Sequence, residues 1–158
     1  MAIKGGCLCG GVRYEITGVL FDASHCHCSM CRRQHGAAFA TYAKFNPDDF
    51  KWISGEDLVK VYETSSGAGW CFCSKCGSSL AAADKGKIAS VTLGTIEGDP
   101  GIGPESHMFI GSKASWHEIN DNLPQFEEWP PESWEPPSKA PNKRIQSDQQ
   151  TATRFVGH

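Results

Sequence analysis

In Cys26-His27-Cys28-Ser29-Met30-Cys31, three cysteines occur within six consecutive residues. Two smaller clusters accompany this segment, Cys7-Leu8-Cys9 and Cys73-Ser74-Lys75-Cys76. Residues i and i+2 of an extended segment point to the same face, so each Cys-x-Cys pair can offer both sulfurs to one metal ion. Gly77, which follows the last cluster, permits the tight turn that brings both of its sulfurs together.

This clustering favours metal ligation over a disulfide framework. The chain starts without the apolar stretch of an export signal, which predicts a cytoplasmic, reducing location where disulfides are rare. A chain of 158 residues can bury roughly two thirds of its unfolded surface, so its core does not need disulfides. Sulfur ligands favour zinc, with iron as the alternative.

The clusters divide between two metal ions, and we expect two zinc ions per chain. A structural zinc site is closed by four protein ligands, whereas a catalytic site keeps one position open. Spacing favours a closed four-thiolate site and an open three-thiolate site, although Cys71, His25 or His27 could close the second one. The structural set is Cys7, Cys9, Cys73 and Cys76, and the catalytic set is Cys26, Cys28 and Cys31.

The charge balance argues against some classes of partner. Lys and Arg number 15 and Asp and Glu number 18, a net charge of −3. A weakly acidic chain is a poor binder of nucleic acid or of an anionic membrane. The sequence also contains no apolar run of about 18 residues, the length that a transmembrane helix needs. Neither nucleic acid nor a membrane is therefore an expected partner.

Hydrophobic patterning predicts an all-β protein with little helix. Residues 11–16 alternate between apolar and polar side chains, the period of a half-buried strand. A short helix is predicted over 29–36, with Ser29 as its cap and Gly36 near its end. The other predicted strands, which turn signals separate, are 38–45, 50–54, 58–63, 70–73, 88–96 and 107–110.

The end of the chain has a different composition. Six of the nine prolines lie between Pro124 and Pro141, which disfavours regular structure there. Large aromatic residues in such a stretch usually anchor it to a surface. We therefore predict a domain over 1–128 and a Pro-rich tail over 129–158 that partly wraps it. The alternative is a subunit contact in a homodimer, and the polar residues from Lys139 onward are expected to be mobile.

The ordered cysteine motifs resemble one known family, the glutathione-dependent formaldehyde-activating enzymes, which includes centromere protein V-like proteins. The resemblance covers about residues 3 to 128. The motifs that carry it are Cys7-Leu8-Cys9-Gly10-Gly11-Val12, Cys26-His27-Cys28-Ser29-Met30-Cys31-Arg32-Arg33, Phe72-Cys73-Ser74-Lys75-Cys76-Gly77, Gly36 with Phe39, Leu93-Gly94-Thr95, His107-Met108-Phe109 and Lys113-Ala114-Ser115-Trp116.

The resemblance implies a β-tent fold of stacked antiparallel sheets, with the partition of two zinc sites given above. It also implies condensation of glutathione with formaldehyde to S-hydroxymethylglutathione, the reverse of a carbon–sulfur lyase reaction. The implied partners are thus a small thiol such as glutathione and an aldehyde. One departure concerns Trp70, which stands where family members often carry a basic residue, beside the unusual neighbour Cys71. That departure bears on whether glutathione is the thiol used.

The three-thiolate site favours thiol binding over water activation. Zinc with three thiolates has a formal charge of −1, which weakens its Lewis acidity but still stabilises an incoming thiolate. Arg32 and Arg33 follow the last ligand; either could offset the charge or bind a carboxylate, or both could be solvated. His35, after the predicted helical turn, is a candidate proton carrier.

The other histidines and large side chains are assigned structural roles. Alternation along an extended segment points His25 and His27 away from the face of Cys26 and Cys28. His107, in an apolar strand, is expected to be a hydrogen-bonded core histidine, although it could line a pocket. The side chains expected to be buried are Cys71 as a free thiol and Trp70, Phe39 and Trp116 as core aromatics.

Three functions follow from these sites. The first is a zinc-dependent carbon–sulfur lyase-type enzyme with Cys26, Cys28, Cys31, Arg32 and His35 at its catalytic site. The second is a carrier that captures glutathione or another small thiol without turnover. The third is a structural double-zinc interaction domain, which four protein ligands at both metals would favour.

Overall fold

The structure, a computed structural model, describes residues 1–64 and 67–138. Strands dominate these residues, and the α-helical segment among them is α1, Ser29–His35. Short 3-10 turns occur at Pro47–Asp49, Glu56–Leu58, Leu93–Thr95 and Ile110–Ser112. The strands are β1 Ile3–Gly6, β2 Arg13–Ile16, β3 Phe21–Cys26, β4 Ala40–Lys44, β5 Phe50–Ser54, β6 Val59–Glu63, β7 Ala68–Cys73, β8 Ser79–Asp84, β9 Lys87–Thr92 and β10 Ser106–Met108.

The strands form two sheets. One has three strands in the order β1-β2-β5, and the other has seven in the order β10-β3-β4-β9-β8-β7-β6. The expected all-β class is confirmed, and every pairing within the sheets is antiparallel except that of β10 with β3. Parallel neighbours need a long connection, and most of the described chain separates these two strands.

The main core joins the two sheets. The alternation predicted for 11–16 is confirmed in β2, where Tyr14 and Ile16 are buried and their neighbours are half-exposed. The Tyr14 ring stacks on Phe50 with a centroid distance of 5.6 Å, and Phe50 stacks on Phe45 at 5.5 Å. Burying a large apolar side chain contributes roughly 1.5–3 kcal/mol, so this cluster holds the small sheet onto the large one.

Three strands have no counterpart in the sequence-based prediction. β1 ends in two glycines, and a side chain at Gly5 would collide with the Tyr14 hydroxyl. β3 has an irregular register near Asp22, whose φ is 48°. β8 is rich in alanine, a residue with low strand propensity. The strand predicted over 88–96 is also too long, because Leu93–Thr95 is a 3-10 turn.

The helix differs from its prediction at one end. The prediction that Ser29 caps it is wrong, because the Cys28 side chain accepts the hydrogen bond from the Cys31 backbone N–H. The prediction for the other end is confirmed: Gly36 ends the helix with φ 62° in the left-handed region. Glycine adopts that conformation without strain, and the helix therefore ends at His35.

Part of the Pro-rich segment is described, up to residue 138. Trp129 meets Phe109 edge-on at 5.1 Å, and the Ser138 backbone N–H donates to Glu105 at 2.7 Å. Division of the chain at 128 and a wrapping tail stay predictions. Residues 139–158, and the mobility expected for them, lie outside the described part of the chain. Within the described residues, no helix has the length and apolar character to cross a membrane.

Candidate metal centres

The first candidate centre consists of four cysteines from distant parts of the chain. The sulfurs of Cys7, Cys9, Cys73 and Cys76 all lie within 4.8 Å of one another. The Cys7 and Cys9 sulfurs are 3.4 Å apart, and the Cys9 and Cys73 sulfurs are 3.9 Å apart. In a tetrahedral zinc site, with bonds of about 2.3 Å, neighbouring sulfurs are roughly 3.8 Å apart. The donor set therefore fits a closed zinc site.

Backbone turns hold these four sulfurs in place. The Gly77 N–H donates to the Cys73 carbonyl at 2.8 Å, and Gly77 has φ 78°, as the predicted tight turn requires. Ser78 connects the two ends of the site, because its hydroxyl lies 3.3 Å from the Cys76 sulfur and accepts from the Leu8 N–H. Hydrogen bonds from Ser78 lower the pKa of Cys76 to about 5, which favours the thiolate that a metal needs.

The second candidate centre consists of Cys26, Cys28 and Cys31. Their sulfurs also lie within 4.8 Å of one another, and all three side chains are buried. Cys26 ends β3, Cys28 caps α1, and Cys31 lies in the first helical turn. Hydrogen bonds from Cys26 and Cys31 lower the pKa of Cys28 to about 3, so this sulfur is readily a thiolate. Three convergent thiols from the end of a strand and the start of a helix fit a metal ion with one remaining position.

The side chains that could have closed this centre lie elsewhere. Among the described residues, its group of candidate ligands contains the three cysteines alone. Cys71 is 1% exposed and belongs to the main core, where burial raises its pKa to about 11. His25 pairs with the Thr41 hydroxyl at 2.8 Å, and His27 with His107 at 2.8 Å. The geometry therefore favours the open alternative.

The two arginines after Cys31 differ in their surroundings. Arg32 donates from Nε to the His27 carbonyl at 3.2 Å, so it braces the loop that carries the cysteines. Arg33 is exposed. His35 donates from Nδ1 to the Cys31 carbonyl at 3.2 Å. Its Nε2 is buried without a hydrogen-bond partner among the described residues, and burial lowers the pKa of His35. Neutral His35 therefore presents an unused acceptor next to the centre.

Sequence reasoning missed a chain of hydrogen bonds that runs from the buried His27 through the buried His107 to the exposed Asp121. Asp121 accepts from His107 Nε2 at 3.0 Å, so His107 Nδ1 must accept from His27 Nε2. His27 is fully buried between two of the cysteines, and His107 is 2% exposed, which confirms the prediction of a core histidine. Because Asp121 lies in a loop far along the sequence, only the fold brings these three residues together.

The three aromatic residues that were predicted to lie in the core differ in their burial. Trp70 is buried against the three cysteines, as expected. Phe39 is half-buried and packs on His25 with a centroid distance of 4.2 Å. The prediction for Trp116 is wrong, because this side chain is 72% exposed. The loop turns Ala114 inward instead, and this residue is 4% exposed.

Replacing His107 with phenylalanine tests the hydrogen bonds that join His27, His107 and Asp121. The substitution leaves the His27 N–H without an acceptor, and an unsatisfied buried donor costs about 1–3 kcal/mol. We expect the free energy of unfolding to fall by that amount in urea denaturation. His117→Phe is the matched control, because the His117 ring contacts Phe39 at 5.4 Å and makes no hydrogen bond within the described residues. Equal losses in both variants would contradict a role for the hydrogen bonds.

Taken together, the fold and its two centres define an all-β protein with two cysteine clusters that could each hold a metal ion. The model of the family named "Glutathione-dependent formaldehyde-activating enzyme" matches residues 2–112. The chain belongs to this family, as the cysteine motifs predicted.

Two known proteins are similar to this chain. A Halomonas elongata protein named "Putative glutathione-dependent formaldehyde-activating enzyme" is 27% identical over 129 residues, which cover 75% of this chain and 82% of that protein. A crystal structure of a Rhodobacter sphaeroides protein is 30% identical, covers 61% of this chain and 89% of that one, and has a TM-score of 0.48.

Proposed function

We propose that this protein is a zinc-dependent enzyme of the carbon–sulfur lyase type that joins a thiol to an aldehyde. The proposed reaction is the addition of glutathione to formaldehyde, which gives S-hydroxymethylglutathione. Family membership supports the choice of glutathione and formaldehyde. The observation that carries the proposal is the centre of Cys26, Cys28 and Cys31, whose three sulfurs lie within 4.8 Å of one another and would leave the fourth position of a zinc ion to a substrate.

The proposed metals follow from the donor sets. Clusters of four and of three thiols suit zinc, which prefers sulfur and nitrogen ligands in tetrahedral arrangements. We assign the structural zinc to Cys7, Cys9, Cys73 and Cys76. The catalytic zinc is assigned to Cys26, Cys28 and Cys31. When bound, zinc keeps a coordinating thiol in its thiolate form at neutral pH.

The chain's own residues would orient the reactants and handle the proton. The buried cysteines exclude water from one side of the centre, which strengthens the electrostatic interactions there. Arg32 keeps the ligand loop in place through the His27 carbonyl. We assign His35 Nε2 as the acceptor that takes the proton of the entering thiol, because its lone pair is free and Nδ1 anchors the ring.

One residue beside this site, Trp70, differs from the family pattern and bears on which thiol is bound. Trp70 is buried against the cysteine cluster, where a basic side chain is often found in the family. An anionic thiol such as glutathione therefore lacks one cationic contact here, and Arg32 and Arg33, which directly follow Cys31, are the cationic residues nearest to that ligand along the sequence. A neutral small thiol that competes well with glutathione would agree with this difference.

Zinc analysis of the freshly purified protein, with and without reduced glutathione, tests the proposal. We expect two zinc ions per chain, one of which glutathione perturbs while the other stays unchanged. The rate of adduct formation must also exceed the uncatalysed addition of glutathione to formaldehyde. Tight thiol binding without a rate increase would select the carrier. If glutathione changes neither of the two zinc ions, the result would favour the structural interaction domain.

A further inference from the structure

A tyrosine hydroxyl is buried beside the three-cysteine centre. Tyr42 lies on β4 and packs against the cluster formed by Cys26, Cys28, Cys31, Ala40 and Trp70. Its hydroxyl oxygen is inaccessible to solvent, and its O–H has no acceptor among the described residues, although the Trp70 indole interacts with the oxygen. An unsatisfied buried hydroxyl is unfavourable, so packing alone would prefer phenylalanine at this position.

A second buried polar atom without a hydrogen-bond partner lies near this hydroxyl. The His35 ring meets the Tyr42 ring edge-on, with a centroid distance of 5.4 Å. The wall of the centre therefore carries a hydrogen-bond donor, the Tyr42 O–H, beside an acceptor, His35 Nε2.

We propose that Tyr42 is a catalytic residue whose hydroxyl donates a hydrogen bond to the aldehyde oxygen as that oxygen gains negative charge. This inference rests on the function proposed above. Such a donor has the most effect in a water-excluded site, where it needs no reorganisation during the reaction. The hydroxyl does not ionise in this role.

The chemical step balances without any further reactant. The electron pair of the thiolate sulfur forms the new carbon–sulfur bond, and the π pair of the carbonyl moves onto oxygen. Tyr42 stabilises the resulting oxyanion through its O–H. The oxyanion then takes from His35 Nε2 the proton that the thiol lost on entry, and the product is the S-hydroxymethyl adduct. Release of the product leaves the Tyr42 hydroxyl unpaired again.

Tyr42→Phe tests this role, with Tyr62→Phe as the matched control. Tyr62 is 65% exposed on β6, so its hydroxyl can be removed without entering the centre. We expect Tyr42→Phe to lower kcat/KM for glutathione and formaldehyde on the order of 10²- to 10³-fold, as loss of an oxyanion donor does. Its zinc content should stay the same, and its melting temperature should not fall. Tyr62→Phe should match the wild-type protein in all three measurements.

A binding readout separates this inference from the proposed function. In protein loaded with cobalt(II), the visible spectrum reports glutathione binding at the three-cysteine centre. In the wild-type protein, formaldehyde should lower the apparent Kd of glutathione at least tenfold, and in Tyr42→Phe that gain should be lost while glutathione alone binds equally.

Each contrary result has one meaning. If the wild-type protein is active and Tyr42→Phe keeps its kcat/KM and its formaldehyde effect, the role of Tyr42 is wrong and the proposed function stands. If Tyr42→Phe loses stability and zinc together with activity, the hydroxyl has a structural role, and the inference is again overturned. If the wild-type protein neither binds glutathione nor accelerates the reaction, the proposed function fails, and the inference fails with it.

Discussion

Replacing Cys7 with serine is expected to remove the structural zinc and most of the stability of the fold. The four-cysteine centre joins the β1–β2 connection to the end of β7, so losing one ligand separates the two sheets at that edge. Zinc in small structural sites contributes about 10–16 kcal/mol of apparent binding free energy. That is comparable to the whole stability of a typical domain, about 5–15 kcal/mol. Thermal unfolding followed by circular dichroism should lose its cooperative transition.

The control for this variant is Cys71→Ala. Cys71 is a buried cysteine outside both clusters, so this change removes a buried sulfur without touching a proposed ligand. We expect it to cost about 1–2 kcal/mol, the range for removing a small buried group, and to keep both zinc ions. A Cys7→Ser protein that remains as stable as Cys71→Ala would show that this centre does not hold a structural metal.

Cys28→Ser is expected to remove the second metal ion without unfolding the protein. Serine is among the best residues at a helix N-cap, so its hydroxyl can replace the Cys28 sulfur as acceptor of the Cys31 N–H. It is a poor zinc ligand, and the three-thiolate centre should lose its metal. We expect one zinc ion per chain by elemental analysis, a nearly unchanged melting temperature, and adduct formation no faster than the uncatalysed rate.

The comparison with Cys28→Ala isolates the cap from the metal. Alanine removes the ligand and also the cap, so it should cost about 0.5–2 kcal/mol more than serine with the same loss of zinc. If Cys28→Ser collapses the fold while Cys7→Ser does not, the structural and catalytic assignments are reversed. If Cys28→Ser keeps two zinc ions and full activity, the second centre is not the catalytic one.

Local patterns were sufficient for much of this architecture. The alternation in 11–16 correctly predicted β2, because successive side chains of a strand point to opposite faces of the sheet. The spacing of Cys26 and Cys28 predicted neighbouring sulfurs, because residues i and i+2 of an extended segment point to the same face. Patterns failed where strands lack periodic apolar residues, as in β1 with its two glycines and in β8 with its alanines.

The sequence by itself determined the all-β class, the three short cysteine motifs and the family, since each depends on residue types at short spacing. Only the tertiary structure joined His27 to His107 and Asp121, and only it placed the Tyr42 hydroxyl against the three cysteines. These contacts span separate strands and loops, and their partners depend on how β3, β4 and β10 pair within one sheet. Strand pairing depends on packing between residues that are far apart in the sequence, and no local pattern in the chain encodes it.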